Sequence, residues 1–172
     1  MEQLTFLNDK QLKPKDKTER LSQLLVSGKI SIEQWSEFAG SAKEAVKATC
    51  IEAMEFASKE KPGMVSLACM NFVAECLTEK APRIKWESAR VIGNVAHIFP
   101  DKLNKAVENL LINTAHPGTV VRWSAAYALG QIIKLKTAKN KDLIPAVTII
   151  IEKEEKNSIK KIYLDALKKA EK

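Results

Sequence analysis

One nine-residue pattern occurs four times in this chain, and a fixed recurrence of that kind restricts the fold more than any other feature. Val46 to Met54 reads Val-Lys-Ala-Thr-Cys-Ile-Glu-Ala-Met, and Ile84 to Ile92 reads Ile-Lys-Trp-Glu-Ser-Ala-Arg-Val-Ile. Val121 to Leu129 reads Val-Arg-Trp-Ser-Ala-Ala-Tyr-Ala-Leu, and Ile159 to Leu167 reads Ile-Lys-Lys-Ile-Tyr-Leu-Asp-Ala-Leu. The starts are 38, 37 and 38 residues apart. Column one is β-branched in every copy, and column two is cationic (Lys47, Lys85, Arg122, Lys160). Column eight is small or β-branched, and column nine is large and apolar. Columns one, five, eight and nine share one face of a 3.6-residue helix. Small residues in columns five and eight let a second helix approach closely. A period of this length implies stacked supersecondary units, none of which buries its apolar face alone.

The pattern Val-Arg-x-x-Ala-Ala-x-Ala-Leu-Gly in Val121 to Gly130 resembles the second helix of a HEAT repeat, the helix-pair unit of armadillo-like solenoids. Ile84 to Gly93 is similar, and Val46 and Ile159 begin looser copies with Glu55 and Lys168 at the glycine position. The resemblance spans roughly residues 31–172. It implies an all-α fold, a right-handed α-α superhelix of about four HEAT-like helix pairs with an N-terminal capping helix. It names no activity, because this fold hosts many functions.

Punctuation along the chain agrees with helix pairs. Residues 1–13 lack helical periodicity and read as extended or disordered. Pro14 suits a first helical turn, and a helix from Lys15 to about Val26 closes on Gly28 as a left-handed C-cap. Residues 1–30 therefore read as a tail and capping helix, and 31–172 as the repeat domain, with repeats at about 31–61, 64–99, 101–135 and 142–172. Ser31 with Gln34, and Ser41 with Glu44, have capping-box spacing. Asp101 and Asp142 are expected N-caps, and Pro145 is expected in the first turn of the helix that Asp142 caps. Lys136 to Lys141 reads as a polar loop.

The chain is 172 residues long, 45% hydrophobic and 28% charged, enough to bury a core. Three cysteines are too few for a disulfide framework; Cys50, Cys69 and Cys76 fall on apolar helix faces and read as buried reduced thiols. The N-terminus lacks the basic and apolar regions of a secretion signal, and no run is long enough to span a bilayer. A cytoplasmic protein with no membrane contact is expected. The net charge of +7 is uneven: Lys134 to Lys172 holds 11 lysines against 6 acidic residues. That basic C-terminal region reads first as a solvated terminal repeat and second as a polyanion-binding end.

By resemblance, the repeated second helices line the concave surface. Columns three, seven and eleven then form a stripe at i, i+4 and i+8. The stripe reads Ala48, Glu52, Phe56; Trp86, Arg90, Asn94; Trp123, Tyr127, Gln131; and Lys161, Asp165, Lys169. Two tryptophans in one column stand side by side, roughly 10 Å apart at helix-packing distance. Trp, Tyr and Arg dominate interface hot spots. Trp86, Arg90, Asn94, Trp123, Tyr127 and Gln131, flanked by Lys85 and Arg122, are the candidate partner-binding residues. The other arrangement has the two tryptophans covering the junction between helices while Lys85 and Arg122 pair with carboxylates of neighbouring repeats.

Reactive chemistry is sparse. His97 and His116 have no companion at metal-ligand spacing, and there is no phosphate loop or nucleophile signature. Glu52 and Glu55 read as surface charge. No catalytic residue, metal or cofactor is expected. The function expected is noncatalytic binding or scaffolding, with a protein or peptide partner in the groove. The alternative is nucleic acid, including a resemblance to HEAT-like alkylpurine DNA glycosylases. Those carry aromatic residues, an Asp and an Arg in the groove; here Arg90 and Tyr127 stand one turn after the tryptophans, where a carboxylate is wanted. A resemblance to bilin lyases of HEAT type rests on fold alone.

Overall fold

The computed structural model describes residues 2–172, and Met1 lies outside the described residues. A 3-10 helix, Glu2–Asn8, precedes nine α-helices: α1 Pro14–Val26, α2 Ile32–Ser41, α3 Glu44–Glu60, α4 Leu67–Cys76, α5 Pro82–Val95, α6 Asn104–Asn113, α7 Thr119–Ile133, α8 Asn140–Lys153 and α9 Asn157–Glu171. No strand occurs among the described residues. The helices form two layers. Helices α1, α3, α5, α7 and α9 stack side by side in one layer, each against the next. In the other, called the outer layer, α2 touches α4 and α4 touches α6. The repeated segments lie in α3, α5, α7 and α9, so the layer they share with α1 is called here the repeat layer.

The column chemistry explains the stacking. Column five is fully enclosed in all copies (Cys50, Ser88, Ala125, Tyr163), as is column eight (Ala53, Val91, Ala128, Ala166). In α3, α5 and α7 the compact side chains at these columns bring the backbones close enough for Met54, Ile92 and Leu129 to be sealed from water, whereas α9 carries Tyr163 there. Each such side chain contributes about 1.5–3 kcal/mol of burial energy. The tenth column carries the tightest approaches. Gly130 lies 3.5 Å from Ala166 Cβ and 3.5 Å from Ile162 Cγ2 on α9, measured from where its own Cβ would stand. Polar side chains tie neighbouring helices both across the layers and within one. Trp35 on α2 is enclosed and donates Nε1 to the Cys50 carbonyl at 3.0 Å. Asn109 and Asn113 on α6 donate to the Ala74 and Leu77 carbonyls at 2.9 and 3.0 Å.

Several sequence expectations are corrected. Residues 2–8 are helical rather than extended, because Leu4, Phe6 and Leu7 have an apolar surface to cover and are buried against the core. Lys17 Nζ bonds the Leu7 carbonyl at 2.9 Å, and the Arg20 guanidinium sits 4.2 Å from the Phe6 ring centre. Helix α1 lies within the repeat layer against α3, so the edge of the first repeat is covered by a helix of the same layer. The box at Ser31 forms, with bonds of 3.2 and 2.9 Å to Gln34. The box at Ser41 does not: α2 runs on through Ser41, whose hydroxyl bonds the Glu37 and Phe38 carbonyls of its own helix. Asp101 caps nothing, since α6 begins after Leu103. Helix α8 begins at Asn140, which donates Nδ2 to the Ile133 carbonyl at 2.8 Å. Asp142 is therefore inside its first turn and Pro145 is inside the helix. Gly28 adopts the expected left-handed φ of 71°, and Lys136 adopts φ 55° after α7. All three cysteines are buried, which pushes the Cys50 and Cys69 thiols up to about 12 and Cys76 to about 11. No helix is long and apolar enough to cross a membrane among the described residues.

Candidate functional site

Helices α4 and α6 cover one side of the repeat layer, and the other side of α5 and α7 is open. The residues of α5 that keep contact with water include Arg83, Trp86, Arg90 and Asn94, spaced three or four apart. Those of α7 include Val120, Trp123, Tyr127 and Gln131. Glu52 and the half-exposed Phe56 occupy the same stripe of α3. One helical stripe per repeat therefore faces away from the outer layer, and adjacent stripes abut.

Four of the eight candidate residues, Arg90, Asn94, Trp123 and Tyr127, are interlinked there. The Trp123 and Tyr127 rings are parallel, with planes 7° apart and centroids 6.1 Å apart. The Arg90 guanidinium lies 5.7 Å from the Trp123 ring centre. Tyr127 donates its hydroxyl to Asn94 Oδ1 at 2.7 Å, and Asn94 Nδ2 donates to the Glu55 carbonyl and Ser58 Oγ, both at 3.1 Å. That chain of bonds ties α7 to α5 and α5 to α3, so the Asn94 amide is spent within the protein. Gly93 makes room for the Tyr127 ring: a Cβ there would stand 2.8 Å from Cδ1 and closer still to Cε1. Burial, with Glu55 nearby, raises the Tyr127 phenol above its ordinary value despite Arg90. Gln131 is half-buried one turn beyond Tyr127.

Lys85 and Arg122 stand elsewhere. Lys85 Nζ bonds the Leu77 carbonyl at 3.0 Å and Asn113 Oδ1 at 3.2 Å, at the ends of α4 and α6. Arg122 holds Glu154 with two bonds, 2.9 and 3.3 Å, and donates to the His116 and Pro117 carbonyls. Lys47, in the same column, pairs with Glu79. Three of the column-two cations, Lys47, Lys85 and Arg122, thus fasten the repeat layer to loops and helix ends on its covered side. Their distance from the aromatic stripe follows from helix geometry, since columns two and three diverge by about 100° around the axis.

Sequence reasoning missed the carboxylates. Glu87 is buried, its side chain only 6% exposed. Its Oε1 accepts from Trp86 Nε1 at 2.8 Å, and its Oε2 has no hydrogen-bond partner. Arg90 Nη1 is 3.9 Å from that oxygen, beyond bonding reach. Burial raises Glu87 above the ordinary carboxylate range; the Trp86 bond and Arg90 oppose this, while Glu52 and Glu55 add to it. Glu55, expected as surface charge, is buried in the same wall. Glu52, likewise expected on the surface, is half-buried and accepts from Thr18 on α1 at 2.8 Å and from Arg83. The signal was in the columns. Glu87 stands in column four, where other copies carry Thr49, Ser124 and Ile162, and Glu55 stands in the glycine column.

Two clefts open on the outer side between α6 and α8. One, of about 450 Å³, is lined by residues that include His116, Arg122, Ile149 and Glu154. The other, of about 230 Å³, is lined by residues that include Val107, Leu111 and Leu143. Neither touches the aromatic stripe. No grouping of His, Cys, Asp and Glu suited to a metal ion occurs among the described residues.

No family model and no curated protein matches this sequence. Solved structures do. A designed armadillo repeat protein, YIII(Dq)4CqI, is 14% identical, with a TM-score of 0.74 over 98% of this chain and 80% of that one. A second designed armadillo repeat protein, YIII(Dq.V1)4CPAF in complex with peptide (KR)4, is 15% identical, with a TM-score of 0.72 over 98% and 80%. An engineered protein is 17% identical, with a TM-score of 0.75 over 98% and 79%. The likeness is one of fold, and the fold is an armadillo- or HEAT-like helical-repeat solenoid.

Proposed function

We propose that this helical-repeat solenoid is a noncatalytic binding protein whose repeat layer holds a peptide segment of a partner protein across α3, α5 and α7. The observation that carries this reading is the cluster of Trp86, Trp123, Tyr127 and Arg90 on the open side of two adjacent repeats. Rigid aromatic side chains offer contact area with little entropy to lose, and they are hot-spot residues when a rim excludes water around them. The tyrosine–asparagine–serine chain of bonds fixes the spacing of the three helices. A held spacing preorganises the face and lowers the cost of binding. That a designed armadillo repeat protein of similar fold is in complex with a peptide, (KR)4, supports a peptide as the guest.

The test is capture of a peptide-array pool by the wild-type protein and by a Trp86→Ala/Trp123→Ala variant whose helical circular dichroism is unchanged. Loss of capture in a folded variant is the expected result. Equal capture by both proteins would remove the face from the function. A nucleic-acid reading has one observation in its favour: Glu87 supplies the buried carboxylate beside a tryptophan that the sequence pattern lacked one turn further on. It requires binding of short DNA that falls steeply with salt and depends on the lysines of residues 134–172.

A further inference from the structure

We infer that the larger outer cleft, between the loop after α6 and the last turn of α8, is a binding site for a small amphipathic carboxylate, an acid group on an apolar body. The inference is independent of the peptide reading, because no residue of the aromatic stripe lines this cleft. The lengths of the two helices explain the opening. Helix α6 has 10 residues and α8 has 14. The close packing of α4 on α6 is not repeated between α6 and α8. The last turn of α8 reaches past α6 and faces residues 114–117 instead. About 450 Å³ is left between them, within the ordinary range of small-molecule sites.

Part of the lining is apolar. Ile149 is 52% exposed and Ile150 is half-buried, both on α8, and Pro117 belongs to the facing loop. An isoleucine left that open on the wall of a cleft gains free energy when a guest covers it. The polar groups are chiefly donors. His116 Nδ1 accepts from the Gly118 N–H at 2.9 Å, so the imidazole proton sits on Nε2, free to be donated. Arg122 spends all but one of its N–H groups on Glu154 and on the His116 and Pro117 carbonyls, and the remaining one is on Nη2. Lys153, in the last turn of α8, has no ion pair or hydrogen bond among the described residues. Two carboxylates also line the cleft. Glu154 is taken by Arg122 and by the Lys156 N–H, so Glu155 is the uncommitted one. Donors therefore exceed free acceptors, and a carboxylate is the headgroup that answers them with charge-assisted bonds. A cationic head would meet Lys153 and Arg122 instead.

The test titrates the full chain with octanoate at fixed pH, and in parallel with octanol and octylammonium, read by NMR at the ring C–H signals of the histidines. His97 and His116 are the only two in the chain. His97 is exposed after α5 and outside the cleft, so it reports non-specific effects. Octanoate is expected to shift His116 saturably and leave His97 still, with octanol binding more weakly and octylammonium not at all. Lys153→Ala is expected to weaken octanoate about five-fold, the scale of a partly exposed ion pair, and to leave octanol unchanged. Ile149→Asp, a change at an exposed position whose fold is checked by circular dichroism, is expected to abolish binding. No saturable shift at His116, equal shifts at both histidines, or octanol or octylammonium binding as tightly as octanoate would overturn the site. Octanoate affinity that Lys153→Ala leaves unchanged would remove recognition of the acid group, and binding that survives Ile149→Asp would move it out of the cleft. Either result sinks the proposal and leaves the peptide face standing.

Discussion

At the scale of the residue, packing reverses what local preference would say about Gly93. Glycine in a helix interior costs about 1 kcal/mol relative to alanine, so Gly93→Ala ought to stabilise α5. The Tyr127 ring fills the place of the missing Cβ, and overpacking of this kind costs roughly 1–3 kcal/mol. Gly93→Ala is expected to lower the urea midpoint, and to become neutral or favourable once Tyr127 is replaced by Leu. Two buried carboxyls, Glu87 and Glu154, make opposite statements about pH. Glu87, raised by burial, favours the folded state at acid pH, and that contribution is lost as pH rises through its folded value. At Glu154 burial alone would raise the value, but the Arg122 bonds and the Lys156 N–H hold it below the ordinary range. Its contribution is present above the unfolded value and is lost as pH falls through the folded one. Thermal unfolding across pH should show Glu87→Gln gaining stability near pH 7 relative to wild type, and Glu154→Gln losing it there and converging with wild type in acid.

At the scale of the element, two serines with the same spacing signature separate a cap from a coincidence. Ser31→Ala removes a bonded capping box and is expected to cost about 1 kcal/mol. Ser41→Ala removes bonds to carbonyls already inside α2 and is expected to be near neutral. Chemical denaturation of the two variants side by side measures the difference. The N-terminal 3-10 helix is held by tertiary contact alone, being too short to be stable by itself. Phe6 packs beneath Arg20 and is 7% exposed, so Phe6→Ala is expected to cost about 3 kcal/mol. Residues 2–8 show no helical period in the sequence because a 3-10 turn this short has no stripe to display. Their three buried side chains are explicable only once α1 is in place.

At the scale of the whole molecule, stability is a sum over neighbouring helices, and the sum is uneven. Helices α3, α5 and α7 each have a repeat-layer neighbour on both sides. Helix α8 borders two open clefts and contains Pro145, which removes a helix hydrogen bond. Native-state hydrogen exchange should therefore be slowest in α3, α5 and α7 and clearly faster in α8. Faster exchange in α5 than in α8 would contradict this order of stabilities.

The sequence by itself determined the helix pairs, the repeat and the face each second helix presents. Those follow from period and column chemistry, which are local and need no packed neighbour to be read. It also brought Trp86, Arg90, Trp123 and Tyr127 to one stripe, because residues four apart on a helix share a side. Only the tertiary structure decided what each polar group does there. Asn94 was spent on α3 and Tyr127, Lys85 and Arg122 were drawn to the outer layer, and Glu87 was enclosed with one oxygen unserved. A side chain's partner is set by which neighbouring helix arrives and at what height. That is a property of the packed stack, and no single helix carries it.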